Sequence, residues 1–207
     1  AGQDKCLLKI INNFKIPVVS AWNAHDLLPG SNRYNCGKPG TVGDRAGNFA
    51  IRNCDLLLVV GSRLNIRQIS YNWKSFAKNA KIIMVDIDIN EMNKKTLKVF
   101  KKYHYNLERF LPQLEKQSQN RKINSVHNNF LYWCKRIKKK YPLIHKKLST
   151  KKNTLNPYIF FQSLYSSLTK KDTVVLGNGT ACVVGLQCAD LPKGTRVYTN
   201  SGSASMG

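Results

Sequence analysis

Apolar positions along the chain fall into two alternating spacings. Over residues 6–14, Leu7, Leu8, Ile10, Ile11 and Phe14 lie three and four apart, which predicts a helix buried along one stripe. Residues 16–20 read as a short buried strand, and the Gly-, Asn- and Pro-rich stretch 22–43 reads as a loop. The pattern then predicts a helix around 46–53, a strand at 55–61, a helix around 68–78, a strand at 81–86 and a helix around 106–115. Apolar strands alternating with helices predict a parallel sheet covered on both faces.

A basic helix follows. Its apolar positions, Phe130, Leu131, Trp133, Ile137, Leu143, Ile144 and Leu148, interleave with Lys135, Arg136, Lys138, Lys139, Lys140, Lys146 and Lys147. That spacing describes a packed stripe beside a solvated face. The polar stretch 148–156 is the linker candidate, and the alternation then resumes: helix 157–168, strand 173–177, helix 181–189, strand 196–199. The small-residue run 201–207 follows the last strand with nothing to complete it, and the chain is expected to begin inside an element. The expected fold class is therefore α/β: a central doubly wound parallel-sheet (Rossmann-like) domain over 1–118, a basic helical connection over 119–153, and the truncated start of a second α/β domain over 154–207.

Composition narrows the class. Of 207 residues 42% are hydrophobic, enough for a buried core, so the chain is not predominantly disordered. The longest uncharged apolar run, 56–61, suits a buried strand and not a membrane span. Nothing at the N-terminus pairs a basic region with an apolar one, so the expected location is cytoplasmic. The charge of +23 raises nucleic-acid binding through counterion release. Much of it lies on the solvated side of a packed helix, however, and no RNP-type, zinc-finger or basic-zipper pattern occurs, so no nucleic-acid partner is expected. Cys6, Cys36, Cys54, Cys134, Cys182 and Cys188 contain no C-x-x-C pair and read as reduced, packed thiols. His25, His104, His127 and His145 have no ligand spacing and read as surface or packing residues.

Three strand ends carry candidate chemistry, because ligands of parallel sheets bind at the carboxyl ends of strands and helix N-termini offer free N–H groups to phosphates. Gly177-Asn178-Gly179-Thr180 before a helix would let amides approach an anion, or would serve a tight turn. Arg63 and Arg67 would hold a pyrophosphate, or are ordinary surface arginines. Asp86 and Asp88 flank Ile87 and would point to a ribose, or cap a helix.

Four ordered stretches, 22–29, 37–50, 55–63 and 85–88, resemble the central domain of acetolactate synthase-like thiamine diphosphate enzymes, and 177–183 with 199–207 resemble the opening of that family's thiamine diphosphate-binding domain. The resemblance implies that Asn178, Gly179, Thr180 and Ala181 hold the diphosphate through backbone amides, with Ala204, Ser205 and Met206 in the same site. Met206 matches the bulky apolar residue that supports the cofactor's bent shape. Gly37, Gly40, Thr41, Gly61, Arg63, Arg67, Asp86, Ile87 and Asp88 match the lining of a site for FAD, or for another nucleotide. Two departures stand out: Asn65 and Ile66 replace acidic residues common between the two arginines, and Thr180-Ala181 replaces a usual Gln-His.

The implied activity is decarboxylation of a 2-keto acid such as pyruvate and transfer of the two-carbon unit to a carbonyl acceptor, with thiamine diphosphate, Mg²⁺ and FAD as cofactors. A carboligase acting on a nucleotide-linked ketosugar and a non-catalytic nucleotide-binding relative are the alternatives. The family's activating glutamate is expected before Ala1 and its Mg²⁺-binding segment after Gly207. No catalytic or metal residue is therefore assigned to the chain; alone it is expected to be inactive, and the full-length protein to be a homodimer or homotetramer.

Overall fold

The computed structural model describes residues 2–119, 125–145 and 153–203. Helix α1 (Asp4–Phe14) opens with an acidic residue that suits the positive helix end, and it buries Ile10 and Ile11. It stops where Lys15 turns left-handed and its N–H caps the Ile11 carbonyl. The strand expected at 16–20 is reduced to a single parallel bridge, Val18 to Asn35. Pro17 removes a ladder donor there. The segment instead bonds the loop, with Val18 N donating to the Tyr34 carbonyl, Cys36 N to that of Val18 and Ser20 N to that of Gly37.

Asp44 starts α2 (Arg45–Asn53) by accepting from Gly47 N at 2.6 Å. The chain then forms β1 (Leu56–Val60), β2 (Lys81–Asp86) and β3 (Lys101–His104), which pair in parallel in the order β1-β2-β3, with Val59 opposite Met84 and Val85 opposite Tyr103. Period-2 alternation sends Leu57, Val59, Ile82 and Met84 to one face, where they pack with Ile51, Leu64, Ile69 and Met92. Val85, on the other face, is fully buried.

The helix expected at 68–78 is not continuous. It is a short α3 (Ile66–Ile69) and a 3₁₀ turn at Trp73–Ser75, broken by left-handed backbone at Ser70 and Ala77. After β2 come α4 (Ile89–Met92), capped by Asp88, and α5 (Leu107–Ser118), which packs on α1.

Helix α6 (Ser125–Lys140) packs on α2 and sends Leu131 and Cys134 into a core with Ile11, Leu28, Tyr34, Cys36 and Ala50, leaving its lysines outside. Asn156 caps α7 (Pro157–Ser167), with Pro157 at the first helical position, where its missing N–H costs nothing. Then β4 (Thr173–Leu176), α8 (Thr180–Cys188) and β5 (Arg196–Thr199) form a parallel β4-β5 pair over a second core of Phe161, Tyr165, Leu176, Cys182 and Leu186. Trp22, Leu143 and Ile144 pack against that core from the earlier part of the chain. All six cysteines are free thiols and five are buried. No helix among the described residues is long and apolar enough to cross a membrane.

Candidate functional site

The carboxyl ends of β1 and β2 carry the first group of candidate residues, and local hydrogen bonds set their positions. Gly61 leaves β1 with φ 57° while its N–H still reaches the Val85 carbonyl, so the turn starts in register with β2. Asn65 caps α3 by accepting from Arg67 N at 3.1 Å and Gln68 N at 3.3 Å. Asn65 thus does the capping work that an acid would do. Thr41 N donates to the Arg67 carbonyl at 2.8 Å, and an added Cβ on Gly40 would lie 2.7 Å from that oxygen. The glycine loop is therefore pressed directly against α3. Asn48 holds Gly40 from the other side, donating to its carbonyl and accepting from its N–H.

On β2, Asp86 is buried and its Oδ1 accepts from Asp88 N at 3.0 Å, closing a turn that leaves Ile87 exposed. Asp88 accepts from Asn90 N at 2.8 Å. Asp88 thus caps α4. Arg63 is mostly exposed and lies 3.7 Å from Glu91, a carboxylate that Lys94 also pairs with; Arg67 is exposed as well. The structure thus joins Gly40 and Thr41 to Arg67, and Arg63 to the Asp86–Asp88 turn through α4, in one rim along the sheet's carboxyl edge. Gly37 lies apart from the rim, wedged against Gly47 of α2.

The second group lies between β4 and α8. Gly179 takes φ 67° at the N-cap of α8, where no side chain caps the helix, and Gly179, Thr180 and Ala181 are exposed. An added Cβ on Gly177 or Gly179 would meet nothing within 4 Å. The start of α8 therefore carries no side-chain cap and is unobstructed at its two glycines, an arrangement that suits an anionic group. Ala204, Ser205 and Met206 lie outside the described residues. Ser201, before them, is tied down by Trp22, whose indole N–H donates to its hydroxyl at 3.1 Å.

Sequence patterns missed a buried polar latch between the 22–44 loop and α8. His25 is 5% exposed with Nδ1 3.0 Å from the Leu186 carbonyl. Lys38 is 8% exposed and donates from Nζ to the Gln187 carbonyl at 2.8 Å. The Gln187 side chain donates back to the Val42 carbonyl and accepts from the Tyr158 hydroxyl. Nearby, Asp26 accepts from both Arg196 Nε and Val197 N. Burial, reinforced by the Lys38 ammonium, pushes the His25 imidazole down to about 3, and burial pulls Lys38 down to about 8 against the pull of Asp44.

Both shifts disfavour the charged form in the folded state, so the unfolded chain binds the extra proton. Stability then rises with pH through each window, from about 3 to 6.5 for His25 and from about 8 to 10.5 for Lys38. Lowering the pH from about 7 to about 5 is expected to remove roughly 2 kcal/mol of stability through His25. Urea unfolding of wild type and His25→Gln at the two pH values checks this: the variant should lack that part of the loss, and an equal loss in both would show that His25 is not held neutral.

A parallel sheet whose carboxyl-edge loops meet a glycine loop, followed by a second βα unit with an uncapped helix start, defines an α/β protein whose candidate residues gather at strand ends. The sequence matches the thiamine pyrophosphate enzyme, central domain, family over residues 1–111, more than half its length, and the chain belongs to that family. Its relatives include an acetolactate synthase of Mycobacterium bovis, 40% identical over 79 residues (38% of this chain, 13% of that protein). A probable acetolactate synthase large subunit of Methanocaldococcus jannaschii is 33% identical over 94 residues (45% and 16%). The acetolactate synthase large subunit of Porphyra purpurea is 27% identical over 157 residues (69% and 24%). The chain matches less than a quarter of the length of each of these relatives.

Proposed function

We propose that the intact protein is a thiamine diphosphate-dependent carboligase of the acetolactate synthase type, which decarboxylates a 2-keto acid such as pyruvate and transfers the two-carbon unit to a carbonyl acceptor. The observation that carries this reading is that the family match over 1–111 falls on the segment that builds the carboxyl-edge rim. Bound thiamine diphosphate would supply the carbanion chemistry. The chain's own part is to bind and orient. Asn178, Gly179, Thr180 and Ala181 fit a diphosphate, since no side chain caps α8 there and Gly179, Thr180 and Ala181 are exposed, and Ala204, Ser205 and Met206 are assigned to the same cofactor.

The rim fits the phosphates of FAD through two exposed guanidinium groups, Arg63 and Arg67, beside the glycine turns at Gly40 and Gly61, with Asp86 and Asp88 toward the ribose end. Gly37 shapes the loop that carries Gly40 and Thr41. Mg²⁺ is the expected partner of the diphosphate, and among the described residues no three His, Cys, Asp or Glu side chains gather to hold a metal. The same reading places the protein in the cytoplasm as a homodimer or homotetramer.

Thr180→Pro, compared with Thr180→Ala, which removes the hydroxyl alone, tests the diphosphate loop. Thr180 is the first residue of α8, where proline is tolerated, and the substitution deletes one amide donor. Thiamine diphosphate affinity of the intact protein with Mg²⁺ should fall about tenfold, the loss of one charge-assisted hydrogen bond, with unchanged melting temperature. Unchanged affinity would remove the loop from the site.

A further inference from the structure

A cleft of about 440 Å³ opens between the 30–35 loop and α6, away from both strand-end groups, and the proposed function leaves it unused. Arg33 and Asn32 border it from the loop, and Lys135, Lys138 and Lys139 from the helix. The three lysines sit at i, i+3 and i+4, so they share one face of α6 and repel one another, a spacing that weakens a helix unless something compensates. Among the described residues none of these four cations takes part in an ion pair.

Two of the four are oriented by neutral partners. Arg33 lies over the Tyr34 ring at 5.4 Å, and Lys138 donates to the Asn35 carbonyl at 3.2 Å. Two acids lie near: an added Cβ on Gly30, which lines the cleft, would meet the Asp190 carboxylate, and Asp44 acts electrostatically on Lys138, although both also act on Lys38. No aromatic ring borders the cleft, so nothing there would stack a base.

We propose that this cleft binds a polyphosphate chain, either free or carried by a nucleotide, with Arg33, Lys135, Lys138 and Lys139 neutralising its charges. Its volume lies in the range of small-molecule sites. A single phosphate would leave most of the four cations unneutralised, whereas a chain of linked phosphates spans them. The charge density of α6, which the strand-end sites do not explain, follows from this role.

Calorimetric titration of the intact protein with sodium triphosphate, at about 0.15 M salt so that diffuse charge is screened, tests the proposal. Saturable binding at one site is expected. Lys135→Gln with Lys139→Gln should weaken it about tenfold or more, while Lys74→Gln with Lys78→Gln, which remove equal charge from an exposed stretch elsewhere, should change it less than about twofold. Both variants change exposed side chains only, and circular dichroism confirms their folding. Adenosine triphosphate binding more tightly than triphosphate would identify a nucleotide as the carrier, and equal affinity a free chain. Absence of saturation, equal weakening by the two variants, displacement of the triphosphate by thiamine diphosphate, or binding of an RNA homopolymer without binding of triphosphate would each overturn it.

Discussion

Gly37→Ala is expected to lower the unfolding free energy by about 3 kcal/mol, combining left-handed backbone strain with overpacking. Gly37 has φ 133°, and a Cβ there would lie 2.5 Å from Gly47 N, 2.6 Å from Asp44 Oδ1 and 2.8 Å from Gly47 Cα. Two of these are backbone atoms, and the third is a carboxylate oxygen already held in the Gly47 cap. Asp44 uses Oδ1 to cap Gly47 N and Oδ2 to hold Lys38 N, so a methyl group at Gly37 pries apart both bonds that fix the loop on α2. The same shift carries Gly40 and Thr41 away from Arg67. Gly177→Ala is the matched control, because a Cβ there meets nothing within 4 Å. Urea unfolding of the two variants measures the difference, and equal stability would refute the wedge.

Met84→Ala should cost about 3 kcal/mol, within the range of buried large-to-small substitutions. Met84 is 1% exposed at the centre of β2, opposite Val59, and its side chain packs on the face shared with Ile51, Leu64, Ile69 and Met92. The cavity would open two residues before Asp86, so the carboxyl-edge turn should loosen with the core. Val175→Ala on β4, where the side chain is 76% exposed, should cost well under about 1 kcal/mol. Denaturant midpoints at unchanged slope read both values, and a Met84→Ala loss as small as that of Val175→Ala would contradict the packing.

Much of this organisation was legible because burial writes itself into spacing. The runs at 55–61 and 81–86 are apolar enough to be central strands, and they are β1 and β2. β3 was not legible. Lys101-Lys102-Tyr103-His104 has no apolar alternation, and it becomes a strand because β2 offers it an unpaired edge. The pattern at 68–78 fits a helix, but left-handed Ser70 and Ala77 override it, a backbone choice that spacing does not encode. At the strand ends, glycines and arginines mark themselves by position relative to an apolar run. His25 and Lys38 do not, because their burial comes from residues 186–187, some 150 positions away. The capping role of Asp88 was open in the sequence, since short polar side chains before a helix serve caps and ligands alike, whereas that of Asn65 was not read there.

Conversion of pyruvate by the intact protein, supplied with thiamine diphosphate, Mg²⁺ and FAD and with each withheld in turn, tests the proposed chemistry most directly. Acetolactate should form with all three present and cease without thiamine diphosphate, and the flavin omission reads whether the rim containing Asn65 and Ile66 needs FAD. Pyruvate left unconsumed under every condition, or consumed at the same rate without thiamine diphosphate, would contradict the carboligase reading.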